Sequence, residues 1–260
     1  MECKICNSES NEIFSAKILN KHVIKYYHCP VCDFLQTEEP FWLNEAYEAA
    51  IGITDTGILK RNHLFAKRSS VVICSFYDSH RKFLDFAGGY GIFVRMMRDL
   101  GFDFYWIDPF ADNFFAKGFE HNKKDDILLV TAFECFEHFA DPKAEIKKIL
   151  NISENIIFST RLFHGIPPKP SDWWYYSLES GQHISFYSTK TLKHLAHNFN
   201  LHLNSDSKAF HVLSKEKHND FWFKVILKLS DLGLSKLFHT GLKSKTELDN
   251  QLLSKKSESN

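Results

Sequence analysis

The chain has no apolar run long enough to cross a bilayer, and its start, Met-Glu-Cys-Lys, lacks the apolar core of a secretory leader. Both absences lead to the expectation of a cytoplasmic protein. There is no excess of charge either: 32 Lys and Arg balance 32 Asp and Glu. A zero balance removes the general electrostatic case for nucleic acid or an anionic membrane as partner. Internal repeats are absent. Glycine, at 11 of 260 residues, and cysteine, at six, are sparse enough that their positions carry information. What is present is apolar: 44% of the residues, with 25 Phe, enough to bury a dense core. At this length there is room for a full domain and a small accessory module.

The most informative stretch runs from Phe83 to Asp108. An apolar strand (Phe83, Leu84, Phe86) enters a turn of small residues (Ala87, Gly88, Gly89, Gly91). An amphipathic helix follows (Ile92, Phe93, Met96, Met97, Leu100) and stops at Gly101. A second apolar strand (Phe104 to Ile107) ends in Asp108. Small residues let backbone approach a ligand closely, and an acid at the end of the second strand suits a ribose diol. The competing reading is a tight connection between strand and helix with no ligand. Against it, strand, turn, helix, strand and terminal acid arrive in order within one βαβ length.

The spacing from Asp85 to Gly91, D-x-A-x-G-x-G, resembles the first motif of the class I S-adenosylmethionine (SAM) methyltransferases, [DE]-x-G-x-G-x-G, with Ala87 where that family usually has its first glycine. Asp126 to His138, an apolar run ending in E-x-x-E-H, resembles the strand-four segment of the same family. Gly181 to Tyr187 is similar to its G-x-H-x-x-x-[FY] segment. The resemblance implies a Rossmann-like α/β fold, mostly parallel with a final antiparallel hairpin, and SAM as cofactor. It implies that Asp108 takes the SAM ribose hydroxyls and that Ala87, Gly88, Gly89 and Gly91 pass under the methionyl part. Asp85 lies near the amino group, and Tyr47, Arg61 and Asn62 could reach the methionine carboxylate. The alternative for the last three is ordinary helix-surface polarity.

Cys3-Lys-Ile-Cys6 and Cys29-Pro-Val-Cys32 are two C-x-x-C pairs. In a reducing compartment such pairs point to a metal before a disulfide, and two of them complete a closed tetrahedral four-cysteine zinc site. Redox activity and chance pairing are the competing readings. A module of roughly 40 residues buries little surface, so zinc would supply much of its folding energy. With four ligands and no open position, the site reads as structural. Cys74 reads as a core residue, and nothing near Cys135 argues for a nucleophile.

Residues 1–40 are therefore expected to form a zinc ribbon with strands near Glu12–Leu19 and His22–His28. Residues 41–215 form the SAM-binding domain, with a helical lead-in over 41–80 broken at Gly52–Gly57. Residues 216–260 form an amphipathic helical extension whose Ser/Lys-rich end, roughly 252–260, reads as disordered. Strands are expected at Ile127–Ala132, Asn155–Thr160, Leu201–Ser205 and Ala209–Ser214. Helices are expected at Pro142–Leu150, capped by Asp141, and at Thr189–Phe199, capped by Ser188. The extension is expected to pack on the domain or on a second copy as a homodimer, and a membrane-surface helix is the alternative.

Methyl transfer from SAM is an in-line displacement, to which a protein contributes mainly approach geometry, worth about 7–11 kcal/mol. An oxygen or carbon acceptor also needs a base. Glu134, Glu137 and His138 follow strand four, at the edge where open α/β sheets bind ligands. If that turn is helical, all three crowd one side. His183 returns to the same edge, and a near-neutral pKa suits a histidine to act as base. His183, His138 and Glu134 are the catalytic candidates, with His183 the preferred base; the competing role for each histidine is a structural hydrogen bond. Trp173–Tyr176 reads as an acceptor lid or as core packing. The N-terminal cysteines, Asp55–Asn62 and Asn113–Glu120 resemble a bacterial subgroup similar to sugar C-methyltransferases, which implies a sugar or nucleotide-sugar acceptor. Two readings remain beside it: an rRNA or tRNA methyltransferase using the ribbon for RNA, and a non-catalytic SAM-binding or interaction subunit. The ribbon's excess of acids counts against RNA.

Overall fold

Three capping signals in the sequence start three helices. Asp141 accepts from the Ala144 amide at 3.1 Å ahead of Pro142. Ser188 and Thr191 form a reciprocal capping box. Asn219 accepts from the Trp222 amide at 2.9 Å. Each satisfies amides that the first helical turn leaves unpaired. The computed structural model describes residues 1–47 and 55–258, so residues 52–54 of the expected break at Gly52–Gly57 lie outside the described residues.

In chain order the first elements are β1 (Asn11–Ile18), β2 (His22–His28), β3 (Leu35–Thr37), α1 (Leu43–Ala46) and α2 (Ile58–Phe76). Next come β4 (Lys82–Phe86), α3 (Ile92–Asp99), β5 (Asp103–Ile107), β6 (Ile127–Ala132), α4 (Pro142–Leu150) and β7 (Ile156–Ser159). The last are β8 (Ser185–Phe186), α5 (Thr189–Asn198), β9 (His202–Ser205), β10 (Phe210–Ser214), α6 (Asp220–Asp231) and α7 (Thr246–Glu258). The chain divides into two units.

One unit comprises 55–132 and 218–260. Here β5 and β6 flank β4, both parallel to it, in the registers Asp85↔Trp106 and Asp85↔Thr131. The middle of β4, Phe83 to Asp85, is buried, with Phe83 and Leu84 apolar as expected of a parallel strand covered on both faces and Asp85 the exception. The segment expected to be disordered instead carries α7 as far as Glu258. Its anchor is Asp249, buried and paired with Arg98 at 2.7 and 2.8 Å. Such a long-range pair leaves no trace in local composition.

The other unit comprises 1–54 and 133–217. β9, β10 and β7 pair antiparallel, giving the expected final hairpin. β1 and β2 form a hairpin whose turn residues Leu19 and Asn20 both take positive φ, with Lys21 N–H closing on Ile18 O, a type I′ turn. β3 joins β2 on one side and the two-residue β8 on the other. The ribbon is thus continuous with residues far along the chain. Ile24, Tyr26 and Leu35 share one apolar cluster with Phe163, Tyr175, Tyr176 and Phe186.

Candidate functional site

The glycine-rich turn between β4 and α3 is held in an unusual backbone shape. Ala87, Gly89 and Gly91 have φ of 55°, 52° and 82°. Glycine takes that region freely, whereas Ala87 carries a steric penalty there. A Cβ on Gly91 would sit 2.6 Å from Asn113 Oδ1 and 3.0 Å from the Ala116 amide, and one on Gly88 would meet Trp106 and Asp85 within 3 Å. These two positions therefore need glycine for space. Asp108 closes the turn: Oδ2 accepts from Gly89 N–H at 2.9 Å, and Oδ1 from the amides of Phe110 and Ala111. Trp106 Nε1 donates to Gly89 O at 2.9 Å. Asp85 is buried beneath, accepting from Thr131 Oγ1 at 2.6 Å. Burial, with Asp108 nearby, pushes its carboxyl up to about 7. In the same unit Arg61 pairs with Asp55 at 2.7 Å, and Asn62 donates to Ile58 O.

The second constellation lies in the other unit. After β6 the chain turns at Glu134, whose φ is 51°, and then forms one 3-10 turn, Phe136–His138. The helical turn expected from Glu134 onward is therefore absent, because the left-handed residue reorients the chain. Ser159 fixes Glu134 twice, accepting from its amide at 2.7 Å and donating to its Oε1 at 2.6 Å. Glu137, His138 and His183 come together, with one potential ligand atom from each lying within 4.8 Å of the others.

His183 Nδ1 donates to Tyr175 O at 2.7 Å, which leaves Nε2 the lone pair. His138 Nδ1 meets the hydroxyl of Tyr47 at 2.9 Å and its ring interacts with the Gln182 backbone. Burial, helped by the neighbouring His183, pushes His138 down to about 3, so its imidazole is neutral. Glu137 is fully buried; burial first, and then the charge of Glu134, push it up to about 8. Tyr175 and Thr160 stand close to its carboxylate, yet neither carboxylate oxygen has a well-formed hydrogen bond among the described residues. Within Trp173–Tyr176, Tyr175 and Tyr176 are core residues, whereas Trp174 is 72% exposed.

The four cysteines also converge. Cys3 Sγ lies 3.5 Å from Cys32 Sγ, and Cys6 Sγ 3.4 Å from Cys29 Sγ. Each C-x-x-C turn closes the same way: Asn7 N–H returns to Cys3 O and Asp33 N–H to Cys29 O, with Asn7 and Asp33 both at positive φ. A tetrahedral ion with Zn–S bonds of about 2.3 Å sets sulfurs about 3.8 Å apart, so the cluster is compatible with zinc.

Sequence reasoning singled out the turn, the histidines and the cysteines. It gave Glu137 too little weight, because its distinction is full burial, which no spacing reveals. It placed Tyr47 with the cofactor; in the structure its hydroxyl bonds to His138.

A family model described as methyltransferase domain matches residues 60–205, more than half of the chain and the stretch holding both constellations. No curated protein matches. Among solved structures the chain is similar to an O-methyltransferase family protein from Burkholderia thailandensis (12% identity, 68% of each chain covered, TM-score 0.43). It is also similar to TnmH (14% identity, 68% of this chain and 62% of that one, TM-score 0.45). A third is the plantazolicin methyltransferase BpumL in complex with a monoazolic desmethylPZN analog and SAH (12% identity, 67% of this chain and 93% of that one, TM-score 0.45). On the matched domain, the chain belongs to the methyltransferase-domain family and is a SAM-dependent methyltransferase.

Proposed function

We propose that the enzyme moves the methyl group of SAM to a small-molecule acceptor, a sugar or nucleotide sugar. The observation that carries the cofactor half is the turn at Ala87–Gly91, crowded at Gly88 and Gly91 and tied to Asp108 at the end of β5. Asp108 takes the ribose hydroxyls with its remaining lone pairs. The turn carries the methionyl part, Asp85 neutralises the ammonium, and Arg61 and Asn62 bind the carboxylate.

His183, with Nδ1 held by Tyr175 O, presents Nε2 to an acceptor hydroxyl; Tyr47 and the Gln182 backbone hold His138 beside it. In the reaction the acceptor O–H proton passes to the base, the oxygen forms a bond to the methyl carbon, and the S–C pair returns to sulfur to give S-adenosylhomocysteine. Glu134, fixed by Ser159, is the carboxylate of this segment that favours the imidazolium as it forms. Support for a sugar acceptor comes from the subgroup resemblance and from Trp174, whose exposed ring offers a stacking surface. The four cysteines hold a structural zinc ion, which braces β2, β3 and β8.

Titrating S-adenosylhomocysteine into the zinc-loaded protein, beside Asp108→Ala, tests the cofactor half. Micromolar binding that the variant weakens is expected; absence of binding to folded protein overturns it. Methyl incorporation from labelled SAM into a nucleotide-sugar panel tests the acceptor half.

A further inference from the structure

We propose that Glu137, His138 and His183 bind a divalent first-row transition-metal ion, separate from the four-cysteine cluster. Three observations meet here. First, one nitrogen from each histidine and one oxygen from Glu137 lie within 4.8 Å of one another. Bonds of about 2.1 Å at tetrahedral angles set ligand atoms about 3.4 Å apart, so the side chains close by up to about 1.4 Å to grip an ion.

Second, the Glu137 carboxylate is fully buried, and both oxygens lack a well-formed hydrogen bond among the described residues. A buried carboxylate whose nearby donors, Tyr175 and Thr160, are poorly aligned is costly, and a cation offsets that cost. Third, the imidazoles are supported as ligands usually are. His183 Nδ1 donates to Tyr175 O at 2.7 Å, which leaves Nε2 its lone pair, and His138 Nδ1 is bonded to Tyr47 Oη at 2.9 Å. Metal-binding histidines characteristically anchor their second nitrogen on a carbonyl or carboxylate in this way.

Two imidazoles and one carboxylate suit zinc, iron, cobalt or manganese, and three protein ligands leave positions open. An open position would take an acceptor oxygen and lower its pKa, with the His183 lone pair spent on the ion and the proton released to Glu134 or solvent. That use of the ion rests on the methyltransferase reading above; the binding of the ion does not.

Metal content separates the two. Imidazole and carboxylate donors suit zinc, so dialysis against zinc followed by elemental analysis is a direct probe. The wild-type protein is expected to retain a second equivalent of zinc beyond that of the cysteines. Glu137→Gln and His183→Ala should each weaken that equivalent by about tenfold or more, leaving the first in place. Cobalt added to protein whose cysteines already hold zinc should give visible bands of nitrogen and oxygen ligation without thiolate charge transfer. A single zinc equivalent in the wild type, or a second that survives both substitutions, overturns the proposal. Titration of S-adenosylhomocysteine on the same samples reports the cofactor site independently of these outcomes.

Discussion

Asp85→Asn should make the protein more stable at neutral pH and a poorer cofactor binder, with a pH dependence that identifies the cause. Asp85 is 3% exposed and accepts a hydrogen bond from Thr131 Oγ1. Burial raises its folded pKa to about 7, against about 3.9 in an unfolded chain. A carboxyl raised in this way favours folding in its protonated form. Its contribution is complete below about pH 3.9 and is lost as pH rises through about 7. Three pKa units at about 1.36 kcal/mol each give at most about 4 kcal/mol. Asparagine keeps the shape and the acceptor for Thr131 but does not titrate. The stability difference between variant and wild type should therefore widen by about 1.4 kcal/mol per pH unit from pH 4 to 7 and then level off. Hydrogen exchange of the β4 amides reads this in the unit that contains Asp85. S-adenosylhomocysteine affinity should fall by about tenfold or more, since a hydrogen bond between charged partners contributes about 1.5–3 kcal/mol. A stability difference flat from pH 5 to pH 8 would refute the buried-charge account. Unchanged affinity would remove Asp85 from the cofactor site.

Other substitutions probe the same framework. Ala87→Gly should stabilise the turn by about 1 kcal/mol, because alanine at φ 55° carries a penalty that glycine does not; an unchanged or lowered melting temperature would contradict it. Gly91→Ala, at φ 82° and 2.6 Å from Asn113 Oδ1, should destabilise and weaken cofactor binding together, and a variant indistinguishable from wild type in both would show that the turn yields easily. Asp249→Asn leaves Arg98 buried with half its pairing and should cost about 3–5 kcal/mol, seen as faster hydrogen exchange in α7; protection equal to wild type would refute the anchor. Stripping zinc with a chelator, or Cys29→Ser, should abolish the near-ultraviolet signal of the Tyr26, Tyr175 and Tyr176 cluster, since β2, β3 and β8 share one sheet; retention of that signal would remove zinc from the folding of this unit.

The parts of this fold that could be read from the chain are those written locally. Asp141-Pro142 and Ser188 announce α4 and α5 because a cap needs only its own first turn. The largely apolar runs at 83–86 and 127–132 announce β4 and β6 because buried parallel strands are mostly apolar. Elements that depend on distant partners were not legible. β8 is two residues long and exists because Leu35 and Gln36 pair with it. α7 looks like a polar tail until Asp249 meets Arg98. The reach of Tyr47 toward His138 spans 91 positions in sequence, and no spacing rule connects them.

The candidate site follows the same division, with one addition. Its residue types were visible in D-x-A-x-G-x-G, E-x-x-E-H and the histidine at 183, but its strain was not. Ala87 and Glu134 are non-glycine residues at φ 55° and 51°, and Asp85 and Glu137 are buried carboxyls raised to about 7 and 8. Each is a local arrangement that folding alone would disfavour, and each lies in one of the two segments assigned to cofactor and acceptor. Stability alone disfavours a left-handed alanine and a carboxyl buried with a raised pKa, so each calls for a local reason. For Asp85 the cationic ammonium of SAM is a sufficient reason, because it reclaims the buried charge when it binds. No cationic side chain is recorded beside the Glu137 carboxylate among the described residues to play that part. The substitution that separates the cases is Glu137→Gln, which should stabilise protein that holds zinc at its cysteines alone and lose that advantage as further zinc is added. If the Glu137→Gln variant is stabilised equally with and without zinc beyond the cysteine equivalent, the buried acid is retained for the acceptor and not for an ion.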